Sequence, residues 1–302
     1  MKLGLVYSGG LAKGAYQVGF TKALLEFVDP RDIDVVSSSS MGMSCAYALA
    51  ADKLNALEQI WSGIDIRSGF ATVTNLMFGK MLDGKIDLLM DENDELAMPV
   101  YFNVCYLPLK VQYVKLEGKY RDGWRKLMRA GMGFPVLTGA PVRFNRRLAM
   151  DGGAIDNIPL FPLLAKERLD LIIVLHFDAY YNPSKEFSQS VLRVLDFDLS
   201  YNNRFVKESY DLRQSSIRKM LDSGYEYGKY VCKQLFKDGK DCAEDVYRNG
   251  LEVMKEEKTF REHSPTVDAL FSLLNKVGKI FRNDAVCVKN FDEIVRPKET
   301  RQ

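Results

Sequence analysis

The chain has 302 residues, 47% hydrophobic and 27% charged, which places it in the globular range and lets it bury a sizeable core without cross-links. Its 42 basic and 40 acidic residues leave a formal net charge of +2, so no global field draws it onto nucleic acid, and no such partner is expected. The five cysteines, at 45, 105, 232, 242 and 287, are odd in number and contain no C-x-x-C pair that begins a zinc site, which fits a reducing compartment.

Residues Lys2–Tyr7 read as a first strand, Ser8–Gly14 as a tight glycine-rich turn, and Ala15–Val28 as a helix ended before Pro30. A second strand, Ile33–Ser38, leads into a second helix, Gly42–Ala51. Residues 64–100 carry scattered glycines and the acidic cluster DENDE without a strand period, and are expected to form an irregular or helical insertion, in the position of a lid. Tyr101–Leu107 and Val111–Leu116 read as strands. Leu171–Phe177 reads as a fully buried strand, expected to close the sheet. Beyond residue 200 the period turns helical: Val206, Tyr210, Ile217, Leu221 and Tyr225 share one face, as do Val267, Leu270, Phe271, Leu274, Val277 and Phe281. The expected fold is α/β, a mainly parallel sheet flanked by helices over 1–200, followed by a helical extension over 201–302 that packs on the core. The polar end PKETRQ is expected to fray.

The apolar stretch after Lys2 is five residues long, too short for a signal-peptide core. No run approaches the roughly 18 to 20 apolar residues of a membrane span. A cytoplasmic protein is expected, one that meets lipid peripherally if at all.

Three segments carry chemistry. SGGLAKG, at residues 8–14, stands between a strand and a helix, where glycines let backbone N–H groups approach an anion at the positive end of the helix. A dinucleotide fingerprint needs glycine where Leu11 stands, and a Walker loop needs lysine after its last glycine, whereas Lys13 precedes Gly14. IDVVSSSSMGMSCA, at 33–46, is strand, sharp turn and helix again, the setting of a G-x-S-x-G nucleophile elbow. The frame Ser38, Ser39, Ser40, Met41, Gly42 keeps the trailing glycine and puts serine for the leading one. A rival frame centres on Ser44, with Gly42 leading and Ala46 trailing. Ser40 is favoured because it directly follows the strand, whereas Ser44 falls a turn into the helix. The third segment, MDGGAIDNIPL at 150–160, places Asp151 before Gly152 and Gly153, which on its own reads as a turn.

In this order and spacing, the three segments resemble the patatin-like phospholipase family: a glycine-rich oxyanion loop, an elbow serine, and an aspartate in a D-G-G or D-G-A motif followed by Asn-x-Pro. The resemblance covers roughly residues 1–180, with Leu11 in place of the loop's third glycine and Ser38 in place of the leading elbow glycine. It implies a lipid acyl hydrolase of phospholipase A or lysophospholipase type, using a dyad of Ser40 and Asp151 without histidine. Ser40 would form an acyl-enzyme, Asp151 would act as general base, and the backbone N–H groups of Gly9, Gly10, Leu11, Ala12, Lys13 and Gly14 would hold the oxyanion. A serine triad completed by His176 or His263 also follows the α/β-hydrolase order. However, His176 continues an apolar strand and His263 sits in the charged stretch EEKTFREH.

The substrate implied is a fatty acyl ester. Met41, Met43, Met132 and Phe134 are candidates for an acyl groove or for ordinary core, and Arg143, Arg146 and Arg147 for a headgroup contact or a solvated face. The acidic run Asp91–Glu95 lacks the glycine of a calcium loop, so no metal is expected, and nothing calls for a cofactor. The alternative is a degenerate relative that binds lipid or a protein partner with little turnover, favoured by Leu11 and Ser38.

Overall fold

The computed structural model describes residues 1–66, 76–108, 110–133, 141–178, 181, 193–199, 208–260 and 288–291. The fold is α/β. Nine described strands form one sheet: β1 (Leu3–Tyr7), β2 (Ile33–Ser38), β3 (Glu95–Tyr106), β4 (Lys110–Lys119), β5 (Val142–Phe144), β6 (Arg147–Asp151), β7 (Leu171–His176), β8 (Arg193–Asp198) and β9 (Val288–Asn290). The main path runs β5-β6-β3-β2-β1-β7-β8, with β4 on β3 and β9 on β4. Strands β3, β2, β1, β7 and β8 are mutually parallel, while β4 and β6 run antiparallel to β3.

Alternation along the strands separates two cores, as period two requires. Leu3, Leu5 and Tyr7 of β1, with Leu171, Ile173 and Leu175 of β7, face the larger core. Val6, Ile172 and Val174 face the smaller one. The larger is covered by α1 (Gly14–Leu24), α2 (Gly42–Ala50), α3 (Leu54–Ser62), α4 (Leu76–Leu89), α5 (Trp124–Gly131), α7 (Gln214–Leu235) and α8 (Ala243–Phe260). The smaller is closed by Ile155–Leu164, including α6 (Phe161–Lys166). Burial on both faces explains why the parallel strands read as continuous apolar runs.

Three expectations change. β3 starts at Glu95, because Leu96, Met98 and Val100 are buried in alternation with Glu95, Ala97 and Pro99; the proline and the acidic run before it masked that period. The stretch 64–100 therefore splits into α4 and the first half of β3, while 67–75 lies outside the described residues. The sheet does not end at β7: β8 pairs with it in parallel, and β5 and β6 form a hairpin too short and too arginine-rich to read as strands. The region after residue 200 adds β9 as well as helices.

Of the first helical face expected there, Ile217 and Leu221 are buried in α7, Tyr225 is half-buried, Tyr210 lies exposed before the helix, and Val206 falls outside the described residues. The second face, Val267 to Phe281, falls outside them too, as does the polar end.

Helices α1 and α7 meet backbone to backbone. A β-carbon on Gly19 would lie 2.1 Å from the Leu221 carbonyl oxygen, and one on Gly224 would lie 2.2 Å from that of Tyr16. Gly224→Ala is therefore expected to force the helices apart and lower stability by about 1–3 kcal/mol. Gly84→Ala, on a face of α4 with open space around it, is expected to raise stability by roughly 0.5–1 kcal/mol. Urea unfolding of the two variants reads both signs.

Candidate active site

The sheet's topology brings the two key segments together. β2 and β6 lie on the same edge of β3 and run toward each other. Ser38, the last residue of β2, pairs with Phe102, and Asp151, the last of β6, pairs with Val104. Two positions on β3 separate them, about 7 Å. The chain leaves β2 through Ser39 to Met41 and enters α2 at Gly42, with Ser40 at φ +51°. A side chain in this left-handed region costs about 1–2 kcal/mol. The turn points the Ser40 hydroxyl at Asp151, where Oγ donates to Oδ2 at 2.5 Å. Ser40 is 7% exposed and Asp151 3%.

The elbow needs glycine at 42, since a β-carbon there would lie 2.7 Å from the Ser8 carbonyl oxygen. It tolerates serine at 38, whose hydroxyl donates to the Tyr101 carbonyl at 3.1 Å. Ser44 sits inside α2 and donates back to the Met41 carbonyl at 2.7 Å, so the rival frame does not present a hydroxyl to Asp151.

Asp151 also caps the short turn Gly152–Ala154, accepting from the Gly153 N–H at 2.7 Å. Gly152 packs on Asn103, where a β-carbon would meet the side chain at 2.6 Å, and Gly153 faces Ser39 Oγ at 2.9 Å by the same construction. Burial lifts the Asp151 carboxyl from its ordinary 3.8 to about 6, while the bonds from Ser40 and Gly153 pull the other way.

The glycine-rich loop lies against both segments. A β-carbon on Gly9 would come within 2.7 Å of Ser40 Cβ, so glycine is required there by close approach. The Asn157 side chain grips Gly9 through two bonds of 3.1 Å, Nδ2 donating to the Gly9 carbonyl and the Gly9 N–H donating to Oδ1. That N–H also lies 3.2 Å from the Asn157 carbonyl oxygen. Gly9 is thus spent on Asn157, which corrects its expected place among the oxyanion donors. Lys13 N–H returns to the Gly10 carbonyl and Gly14 N–H to that of Leu11, so these two leave the set as well. Gly10, Leu11 and Ala12 remain: they open the helical segment, where N–H groups have no acceptor within the helix.

Leu11 has φ +51°, a conformation in which glycine is favoured, yet its N–H is retained. The Lys13 side chain is buried, 5.5 Å from the centre of the Phe177 ring, and burial pulls its ammonium from 10.5 down to about 8 against the carboxylates of Asp198 and Glu208.

His176 is buried at the end of β7. Its Nδ1 accepts from the Asp178 N–H at 3.1 Å, and its Nε2 lies 3.4 Å from Asp196 Oδ2, so both ring nitrogens are turned to neighbours other than Ser40. His263 lies outside the described residues. Among the described residues, no group of three His, Cys, Asp or Glu side chains is placed to hold a metal.

Beside the elbow lies a small apolar pocket, with Ala12 and Met41 at one side and Trp61, Ile64, Leu82 and Met128 among its walls. Of the expected groove residues, Met41 lines it. Met43 is core, packed on Gly131, Met132 is buried away from the pocket walls, and Phe134 lies outside the described residues. Sequence reasoning missed Asn103 and the walls from α3 and α4. The spacing Leu54, Leu57, Trp61 was the available signal for α3.

No family model and no curated protein sequence matches the chain. Among solved structures it is similar to VipD from Legionella pneumophila, at 12% identity over 97% of this chain and 89% of that one, with a TM-score of 0.37. It is also similar to the type III effector protein ExoU, at 13% identity, TM-score 0.38, over 83% of this chain and 53% of that one. Overlaps this loose say nothing about individual residues of the site.

The raised carboxyl of Asp151 has a stability consequence. The folded protein holds this proton to higher pH than the unfolded chain, so the contribution is fully present below about pH 4 and is lost as pH rises through about 6. Asp151→Asn, which cannot ionise, is expected to gain on the order of 3 kcal/mol relative to the parent on going from about pH 4 to about pH 8. Chemical unfolding of both proteins across that range measures it.

Proposed function

We propose that the chain is a serine acyl hydrolase of the patatin-like type, acting on fatty acyl esters. The observation that carries this reading is a serine at a left-handed strand-to-helix turn donating at 2.5 Å to a buried carboxyl. Asp151, poised at about 6, is ionised at neutral pH and close enough to take the Ser40 proton as Oγ attacks the ester carbonyl. The N–H groups of Gly10, Leu11 and Ala12 hold the oxygen of the tetrahedral intermediate. Asp151 then passes the proton to the departing alcohol, leaving an acyl chain on Ser40. Water attacks this ester with Asp151 again as base, releasing the fatty acid and restoring the serine hydroxyl.

The apolar pocket beside Met41 seats the acyl chain. Phospholipase A and lysophospholipase activities both fit this chemistry. Ser38 and Leu11, the two departures from the family pattern, leave the hydroxyl geometry and the Leu11 N–H in place.

Labelling with a fluorophosphonate, followed by peptide mass spectrometry, is expected to put the adduct on Ser40. The adduct should survive Ser44→Ala and be lost in Ser40→Ala and Asp151→Asn. An intact, folded protein that takes no label would leave the non-catalytic lipid-binding reading standing instead. Turnover is expected to fall at least 1000-fold in Ser40→Ala, and kcat/KM to rise with pH through about 6 and then level off. Leu82→Trp, which fills the pocket, is expected to cut kcat/KM for long-chain esters roughly 10- to 100-fold while sparing acetyl esters.

A further inference from the structure

Two hairpin tips project from the sheet at the end that carries the dyad. One joins β3 to β4 and includes Leu107, Pro108 and Lys110. The other joins β5 to β6 through Asn145 and Arg146. They are stitched together: the Leu107 N–H donates to the Leu148 carbonyl at 3.0 Å, and the Arg147 guanidinium lies 4.5 Å from the centre of the Tyr106 ring. Because β3 runs parallel to β2, both tips point past the carboxyl end of β2, where Ser40 sits. Leu148 is three residues from Asp151 along β6, about 10 Å.

These tips combine exposed leucine with exposed positive charge. Leu107 and Leu148 are 38% and 42% exposed, side by side. Around them stand Lys110, Arg143, Arg146 and Arg147, all exposed and none in an ion pair with a described residue. The chain carries no acidic residue between Leu96 and Leu116 or between Gly123 and Met150, although its overall charge is close to balanced. Among the other basic side chains in these stretches, Arg129 pairs with Asp83, Arg125 with Asp87 and Lys115 with Glu117 and Glu167, while Lys126 is exposed on α5.

The turn itself is costly. Asn145 and Arg146 have φ of +48° and +62°, the two-residue mirror-image turn whose second position favours glycine. An arginine held there at the apex, against local preference, presents its charge outward.

We propose that these tips are a docking surface for an anionic lipid membrane, with Leu107 and Leu148 entering the interface and Arg143, Arg146, Arg147 and Lys110 meeting lipid phosphates. Exposed leucines ringed by cations outside any ion pair with a described residue match a surface that is apolar within and negative without. Docking there would turn the end of the sheet that carries Ser40 toward the bilayer. This orientation rests on the hydrolase reading, while the docking itself does not.

Co-sedimentation with vesicles of pure phosphatidylcholine, and of phosphatidylcholine with about one-third phosphatidylglycerol, tests it. The protein is expected to bind the anionic vesicles and to be released by ~0.5 M salt. Arg146→Gly, which removes the charge and relaxes the turn, is expected to weaken binding about fivefold without lowering the melting temperature. Leu148→Ser is expected to weaken it further. Absence of binding, equal binding to both vesicles, or binding untouched by either variant would overturn the docking surface. Hydrolysis of a water-soluble ester by the parent protein reports separately on Ser40, so failure of the dyad and failure of the docking surface give different results.

Discussion

Everything at the site depends on one feature of the sheet: β2 and β6 share an edge of β3 and stop two positions apart. A parallel strand arriving from one side and an antiparallel strand from the other leave a gap on that edge, and the elbow after β2 fills it with the Ser40 hydroxyl. The residues are 111 apart in sequence, but only the pairing of three strands has to be right for them to touch. The gap is floored by Asn103, the β3 residue between the two registers, whose amide holds the Asp156 carbonyl at 2.5 Å and supports the turn that follows Asp151. Asn157 extends the same turn to Gly9, so the segment that carries the carboxylate also fixes the glycine-rich loop.

The strain at the site falls on two residues to which the proposed acyl transfer assigns roles. Ser40 and Leu11 both occupy the left-handed region, each against the preference of its side chain. The first aims a hydroxyl and the second frees a backbone donor. The buried carboxyl is destabilised as an anion by its surroundings and is therefore a stronger base than an exposed aspartate. These costs are borne by a sheet buried on both faces and by helices that pack as closely as α1 and α7.

The sequence was legible wherever a local pattern matched a local structure. The strand-turn-helix at 33–46 needed only an apolar run, a serine and a glycine, and the Asp-Gly-Gly segment read as a turn on its own. What stayed hidden was non-local. Asn103 sits in the middle of an apolar strand, and nothing around it marks it as the floor of a site. Gly9 looked like an oxyanion donor until its partner, Asn157, was brought beside it from 148 residues away. The walls of the pocket belong to α3 and α4, whose apolar faces read as packing surfaces whatever they pack on. The hairpin β5–β6 was missed because its turn uses Asn-Arg where a glycine would have announced it.

The place of β1 in the sheet has a further consequence, for the order in which the chain can fold as it is made. β1 is hydrogen-bonded on one side to β2, about 30 residues on, and on the other to β7, which begins at Leu171. At ribosomal speeds of roughly 5–20 residues per second, on the order of 10 s pass between the emergence of β2 and that of β7. Throughout that interval the apolar strand at the centre of the final sheet keeps one edge unsatisfied, open to pairing with another nascent chain. Chaperone binding to the stretch from β1 to β2 would matter most during that interval.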